Sequence, residues 1–472
     1  MGSTPSENGL SRRLGFFSVT SIVIANMIGA GIFTTSGLLL KDLGDPRLML
    51  ALWAVGGAIA LCGALCYGAL AAAIPRAGGE YVFLSRLFHP MLGFLSGWIS
   101  FFAGFSAPIA ASAIGFSAYL TQAFPVLLRP GILSPESEAA LLPRIYAIAV
   151  ILLFTAIHMR GLELGARVQN VLTVLKVALI VGLVAAGFAA GRGDWAHVGQ
   201  GTSFSYGLDG WMTMGLALMW IGFAYSGWNA GAYIGSEVRE PRRTMPRALV
   251  GGTVAVITVY VALNLFYLYA LPPGRLSGEI AVAGLAAGGL FGKTAETAVS
   301  ALVAFALFSS LSAYIILGPR VYYAMARDRC FFRFAAAVNP RSGVPDRAIL
   351  LQGLVAAVMV LLGTFDQILT YMGFCLGIFP ILAVVGVFKL RRQGVAEARV
   401  PGHPLVPLAY IAAAAATLVL AFGQRPVESG VGLLTLAAGV PVYLWFRRRR
   451  PDAGPAGTTP ADEAAAPCAG AR

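Results

Sequence analysis

Lys176 is the residue of this sequence that most needs a chemical reason to be where it is. It sits in Val171-Leu172-Thr173-Val174-Leu175-Lys176-Val177-Ala178-Leu179, inside a long apolar segment. Glu163, at the start of that segment, is 13 residues away, which is about 20 Å of helix. That is too far for a lysine to snorkel to an interface. No other charged side chain lies as deep in an apolar segment. An ammonium group at membrane depth reads as a stand-in for a coupling cation or as a proton carrier. The alternative is a structural lysine tied to the carbonyls of a helix end.

Two further stretches carry chemistry in their main chain. Ile28-Gly29-Ala30-Gly31-Ile32-Phe33 places two glycines where an apolar helix should run straight through. Glycine is the weakest helix-interior residue after proline. One reading is small residues that let two helices pack closely. The other is a broken helix. Its second half, starting near Ala30, would offer free N–H groups and a positive dipole end to a carboxylate. Its first half, ending at Asn26 and Met27, would offer free carbonyls to an ammonium group. The second stretch, Phe223-Ala224-Tyr225-Ser226-Gly227-Trp228-Asn229-Ala230-Gly231, gathers several poor helix formers. It reads as a crowding kink or as an unwound centre whose carbonyls, Phe223 to Ser226, join that of Met27. Asn229 could donate or accept there. Phe223 and Trp228 are large enough to cover a ligand, although aromatics in such helices usually only pack.

The elements that position these groups follow from composition. The chain has 472 residues, is 58% hydrophobic and 12% charged, with a mean hydropathy of +0.76. A soluble domain carries about twice that charge. Long apolar blocks give an all-α polytopic membrane protein. Twelve spans are expected, at about 14–40, 47–74, 91–124, 143–159, 163–190, 210–236, 247–271, 290–324, 347–363, 366–388, 405–423 and 430–446. Residues 1–13 read as a flexible cytoplasmic start and 447–472 as a disordered cytoplasmic tail. With the N-terminus inside, 24 basic residues up to Arg450 fall on the cytoplasmic side and 8 on the other, in the direction of the positive-inside rule. The net charge of +13 therefore belongs to membrane loops, and nucleic acid is not an expected partner. The first apolar block is too long for a cleavable signal peptide.

The two interrupted spans lie five apart and break at similar depths. That predicts a five-plus-five inverted repeat, about 14–190 and 210–388, followed by two further helices at 405–446. The charged segments Pro75 to Tyr81 and Glu237 to Arg243 read as helix-end anchors and gate contacts. His158 and His197 have no partner pattern, and the five cysteines have no metal-binding spacing. No metal or cofactor is expected. Phosphate loops, nucleophile elbows and paired membrane carboxylates are missing, so a pump or enzyme has little support.

At these residues the sequence resembles the amino acid–polyamine–organocation superfamily, and within it bacterial relatives of L-type amino acid transporters. The resemblance is carried by Ile28 to Phe33, Pro75-Arg76-Ala77-Gly78-Gly79-Glu80-Tyr81, Arg167 to Lys176, Phe223 to Asn229, Pro241 to Pro246, and Ser310 through Asp328. It implies the fold of sodium-coupled amine transporters and alternating access for α-amino acids. It implies that the α-carboxylate meets the N–H groups at Ala30 and Gly31, beside Gly29. It implies that the amine meets carbonyls of Met27, Phe223 and Ser226, that Phe223 is the gate, and that Asn229 steadies the unwound segment. Lys176 matches a lysine that replaces a sodium ion in sodium-independent relatives. Position 230 is Ala where animal L-type relatives carry a larger aromatic, so their side-chain selectivity does not transfer.

The expected function is sodium-independent transport of neutral L-amino acids across the cell membrane, by exchange or with protons. A charged side chain would lack a buried counter-charge. A polyamine or other amine permease and a non-transporting sensor are the alternatives. No obligatory protein partner is expected, because no cysteine sits at an outer position suited to a disulfide-linked subunit.

Overall fold

Long apolar segments in a solvent without hydrogen-bond partners must satisfy their backbone internally, and helices do so. The computed structural model describes residues 14–448, apart from 77, 129–130, 132–133, 161–162, 203, 328–329 and 340–343. The expectations for residues 1–13 and for the tail beyond 448 lie outside the described residues. Among the described residues the regular structure is helical, and one isolated parallel bridge joins Leu14 to Val238. Nine described helical stretches, two of them joining consecutive elements (Phe16–Thr34 and Pro90–Ala123), are long and apolar enough to cross a membrane.

The first segment is three pieces: α1 (Phe16–Met27), α2 (Ala30–Thr34) and α3 (Ser36–Leu43). Next comes α4 (Pro46–Ala73), capped by Asp45, whose side chain accepts from the N–H groups of Arg47 and Leu48. The short α5 (Glu80–Leu87) leads to α6 (Pro90–Ile99), a π-helical turn at Ser100–Ser106, and α7 (Ala107–Ala123). Pro108, which has no N–H to donate back into the preceding turn, explains why the hydrogen-bond register loosens there. Then follow α8 (Pro135–Met159), α9 (Glu163–Ala189) and α10 (Leu208–Ala224). A 3-10 segment at Ala230–Glu237 precedes α11 (Pro241–Ala270). The remainder is α12 (Pro273–Leu276), α13 (Val282–Phe291), α14 (Lys293–Arg327), α15 (Asp346–Leu362), α16 (Phe365–Arg392), α17 (Leu405–Gln424) and α18 (Pro426–Arg448).

Several boundaries differ from the sequence reading; the fourth span, expected at 143–159, begins at Pro135. The segment expected at 210–236 stops being α-helical at Ala224. The span expected at 290–324 is α14, and the separate short helix α13 that precedes it, ending at the Gly292 turn with φ of +86°, is not among the expected spans. The last helix continues through Arg447 and Arg448.

Lipid gives no hydrophobic drive for helices to associate, so close packing has to hold them. The tightest partners are α4 with α11, α14 with α7, α10 with α17, and α1 with α11. Trp53, Tyr225 and Tyr260 form a buried aromatic knot between α4, the sixth segment and α11, with ring centroids 5.1 to 5.7 Å apart.

Candidate functional site

The two interruptions meet. α1 ends at Met27 and α2 starts at Ala30, with Ile28 and Gly29 out of helix between them. α10 ends at Ala224, and the chain turns through Tyr225–Asn229 before the 3-10 segment. Gly227 has φ of +102°, a conformation suited to glycine. A Cβ there would lie 2.8 Å from the Asn26 carbonyl group. At Gly31 a Cβ would lie 2.5 Å from Ala224 Cα. The broken first segment therefore touches the broken sixth segment backbone to backbone.

A helix end leaves its last carbonyls unpaired, and here side chains reach them. The Tyr260 hydroxyl lies 2.6 Å from the Met27 carbonyl oxygen and 3.1 Å from that of Ala224. Lys176 Nζ donates to the Ala25 carbonyl at 3.3 Å and to Ser310 Oγ at 3.5 Å. Lys176 is only 3% exposed. It thus sets a cation against the negative dipole end of α1, where a cation is most stabilising. The N–H groups of Ala30 and Gly31 begin α2 and have no acceptor within that helix.

Beside this junction lies a cavity of about 1160 Å³, somewhat above the usual range for small-molecule sites. Its wall includes Asn26, Phe223, Ser226, Gly227, Trp228, Asn229 and Tyr314. The π-helical turn contributes Ser100, Gly104 and Phe105. The rim includes exposed Arg86, Phe88 and His89, so the cavity opens on the face where Leu14 pairs with the 237–239 strand of chain. Helices α2, α3, α12 and α13 contribute nothing to its wall.

Of the residues singled out from sequence, Phe223, Ser226, Trp228 and Asn229 border the cavity. Met27, Gly29, Ala30, Gly31 and Lys176 lie behind that wall, with Met27, Ala30 and Gly31 buried. Gly29 reaches it through Tyr314, whose hydroxyl would be 3.7 Å from a Cβ at that position. The Ser226 N–H donates to the Phe223 carbonyl at 2.8 Å, which leaves one lone pair of that oxygen for another donor. The Trp228 indole packs edge-on against Tyr67, centroids 4.8 Å apart, and faces Tyr410 at 6.0 Å. Asn229 points its amide at Glu80 Oε1, 2.6 Å away.

Two participants escaped the sequence reading. Tyr260 and Asn264 stand one turn apart in an otherwise apolar part of α11. Polar side chains at that depth are a signal for internal bonding. Glu80 was grouped with charged loop residues, yet it is 5% exposed. The paired glycines ahead of it were the available clue, since they let the chain double back and bury the acid.

An amino acid permease family model matches residues 14–442. The serine/threonine exchanger SteT of Bacillus subtilis (strain 168) is 29% identical over 451 residues, 94% of this chain and 99% of that protein. Asc-type amino acid transporter 1 of Mus musculus is 28% identical, over 94% of this chain and 83% of its own length. Large neutral amino acids transporter small subunit 2 of Rattus norvegicus is 30% identical, over 92% of this chain and 80% of its own. A match running from the first helix into the last, over a bundle of membrane-length helices, makes this chain a multi-pass member of the amino acid permease family, a transporter and not an enzyme.

Proposed function

We propose that the protein carries neutral L-amino acids by alternating access, without sodium, by exchange or together with protons. The observation behind this reading is the contact between two interrupted helices at the inner end of a cavity open to one face. The substrate carboxylate would take the N–H groups of Ala30 and Gly31, next to Gly29. Its ammonium would take the second lone pairs of the Met27, Phe223 and Ser226 carbonyls. Phe223 and Trp228, both in the cavity wall, would close over it. Asn229, whose amide is already bonded to Glu80, steadies the sixth segment. Lys176 takes the place of a coupling cation at the end of α1.

The neutral class is supported by the charged lining residues, Arg76, Glu80 and Arg86, all of which belong to the loop side of the cavity. A charged substrate side chain deeper in would go unpaired. It is also supported by relatives named for serine, threonine and large neutral amino acids. We further propose twelve spans with a five-plus-five inverted repeat, in which α1 to α3 correspond to α10 and the 3-10 segment, and α17 and α18 stand outside the repeats. The basic bias supports a cell-membrane protein with both termini in the cytoplasm, and on that reading this cavity is open inward. One relative is named a small subunit. For this chain we propose function without an obligatory protein partner, since its described free thiols, Cys62, Cys66 and Cys375, lie inside α4 and α16.

Counterflow in sodium-free proteoliposomes tests the reading. Labelled serine, alanine or leucine should accumulate against unlabelled neutral amino acid inside. Comparing runs with and without a pH gradient separates exchange from proton coupling. Strict sodium dependence would remove the role given to Lys176. Uptake of arginine or glutamate that excess alanine, leucine or phenylalanine does not compete would overturn the substrate class.

A further inference from the structure

We propose that the Glu80 carboxylate is a positioning residue, a clasp that holds the second half of the interrupted sixth segment in the conformation open at the Leu14 face. The proposal rests on the alternating-access reading given above.

Glu80 is the first residue of α5, and its two oxygens take three donors from two other elements. Oε1 accepts from the Tyr67 hydroxyl of α4 at 2.9 Å and from Asn229 Nδ2 at 2.6 Å. Oε2 accepts from the Tyr233 hydroxyl. Asn229 and Tyr233 are four residues apart and approach the acid from one side. A carboxylate accepts several donors while bringing none of its own, and bonds to an ionised acceptor are stronger than neutral ones. The backbone repeats the link. The Gly78 N–H donates to the Tyr233 carbonyl at 3.2 Å. A Cβ on Gly235 would lie 2.8 Å from the Arg76 carbonyl oxygen. The turn ahead of α5 thus grips the 3-10 segment along most of its length.

That grip reaches α1. Leu14 N–H donates to the Glu237 carbonyl at 2.9 Å, and Arg239 N–H donates to the Leu14 carbonyl at 2.8 Å. The start of α1 is therefore laddered to the end of the 3-10 segment. Both pieces are cut from their other halves by the breaks at 28–29 and 225–229. They form one leaf, joined at the base, and Ile22, Asn26, Asn229 and Tyr233 of that leaf line the cavity. Closing the cavity moves the leaf relative to α4 and α5, and the two bonds from Asn229 and Tyr233 to Glu80 must then be exchanged, while the Tyr67 bond stays within the α4–α5 side.

Swapping donor and acceptor tests this. Glu80→Gln keeps the shape but turns an amide toward the donors. Asn229→Asp sets two carboxylates face to face. The double variant restores a donor–acceptor pair with reversed polarity, so its coupling isolates the bond. The first readout is the rate at which a membrane-impermeant maleimide labels Ile22→Cys in detergent. Each single variant should slow labelling by about fivefold to tenfold, as loss of one charge-assisted bond implies. The double variant should return to within about threefold of the parent. In proteoliposomes the singles should lower exchange turnover while KM changes less than about twofold. Tyr233→Phe, which removes one donor and no charge, should slow labelling about threefold, and it carries the test if Glu80→Gln fails to fold. Parent-like labelling in the singles or in Tyr233→Phe overturns the clasp, as does a double variant no better than its worse parent. Labelling needs no substrate. A wild-type protein that exchanges no neutral amino acid would sink the proposed function and leave the labelling result to decide the clasp alone.

Discussion

The two faces of the bundle, on either side of the helix breaks, are built from different materials. At the end away from Leu14, closure combines close main-chain contacts with buried side-chain bonds to the main chain. The Tyr119 hydroxyl donates to the Phe33 carbonyl at 2.6 Å and accepts from the Ala283 N–H at 3.1 Å. The Gly278 N–H donates to the Gly37 carbonyl at 2.7 Å. Ser36 and Asn264 bond at 2.6 Å and are both buried. A Cβ on Gly37 would lie 2.0 Å from the Glu279 carbonyl oxygen. At the open end a main-chain bond from Gly78 to Tyr233 is joined by side-chain bonds around Glu80, reached by Tyr67, Asn229 and Tyr233. Backbone surfaces in van der Waals contact give way only when whole segments separate. Side-chain bonds can be exchanged one at a time. The first arrangement makes a seal, and the second makes a catch.

That contrast orders the effects of mutation. Gly37→Leu strikes the seal where the opposing atom is backbone and cannot rotate away. Overpacking of this kind costs about 1–3 kcal/mol or more. The expected result is a large loss of folded yield and melting temperature together with transport, measured by fluorescence-detected chromatography and uptake. A variant that folds and exchanges like the parent would mean that α3 does not rest on the Glu279 turn. Lys176→Ala strikes the joint between the two ends. Transport should fall by about tenfold or more, because the unpaired Ala25 carbonyl loses the cation that stabilises the end of α1. Folded yield should fall less. Normal transport at every pH would refute the cation-substitute role.

Much of this was legible in the sequence, and the reasons are physical. The helical class followed from block hydropathy, because lipid leaves a backbone few other choices. Gly29 and Gly31 marked the first interruption, but glycine alone could not separate a broken helix from close packing. Both descriptions apply, since Ile28 and Gly29 leave the helix while Gly31 abuts Ala224. Lys176 stood out because burying a charge needs a partner. Its partner, the Ala25 carbonyl, was hidden because main-chain acceptors have no sequence signature. Glu80 lay in the segment read as helix-end anchors and gate contacts, but its burial was not legible. Only the fold of the 229–235 segment over it removes the water.

Tyr260→Phe separates the seal from the junction beneath it. The ring would keep its packing against Trp53 and Tyr225, while the Met27 and Ala224 carbonyls lose their shared donor. Stability should drop by about 1 kcal/mol, and KM should rise more than turnover falls. An unchanged KM would show that the ends of α1 and α10 keep their positions without this hydroxyl.

The smallest expected effect belongs to Gly29→Ala, and it is the most informative about the site. The sequence alone suggests a bulky residue at Gly31 as a steric block. The structure makes that substitution ambiguous, because its Cβ would meet Ala224 Cα at 2.5 Å and damage packing before it excluded anything. Gly29 differs. Its φ of −125° and ψ of −154° are extended backbone that alanine adopts freely. An added Cβ would meet only the Tyr314 hydroxyl, at 3.7 Å, and the Met27 carbonyl oxygen at 4.0 Å. The methyl group would therefore stand beside the N–H groups of α2 and point toward a side chain of the cavity wall. Stability should change by less than about 0.5 kcal/mol. KM should rise a few-fold, most for the bulkiest substrates, with turnover nearly constant. If thermal stability falls and KM does not move, Gly29 serves packing, and the N–H groups beyond it are not where the carboxylate sits.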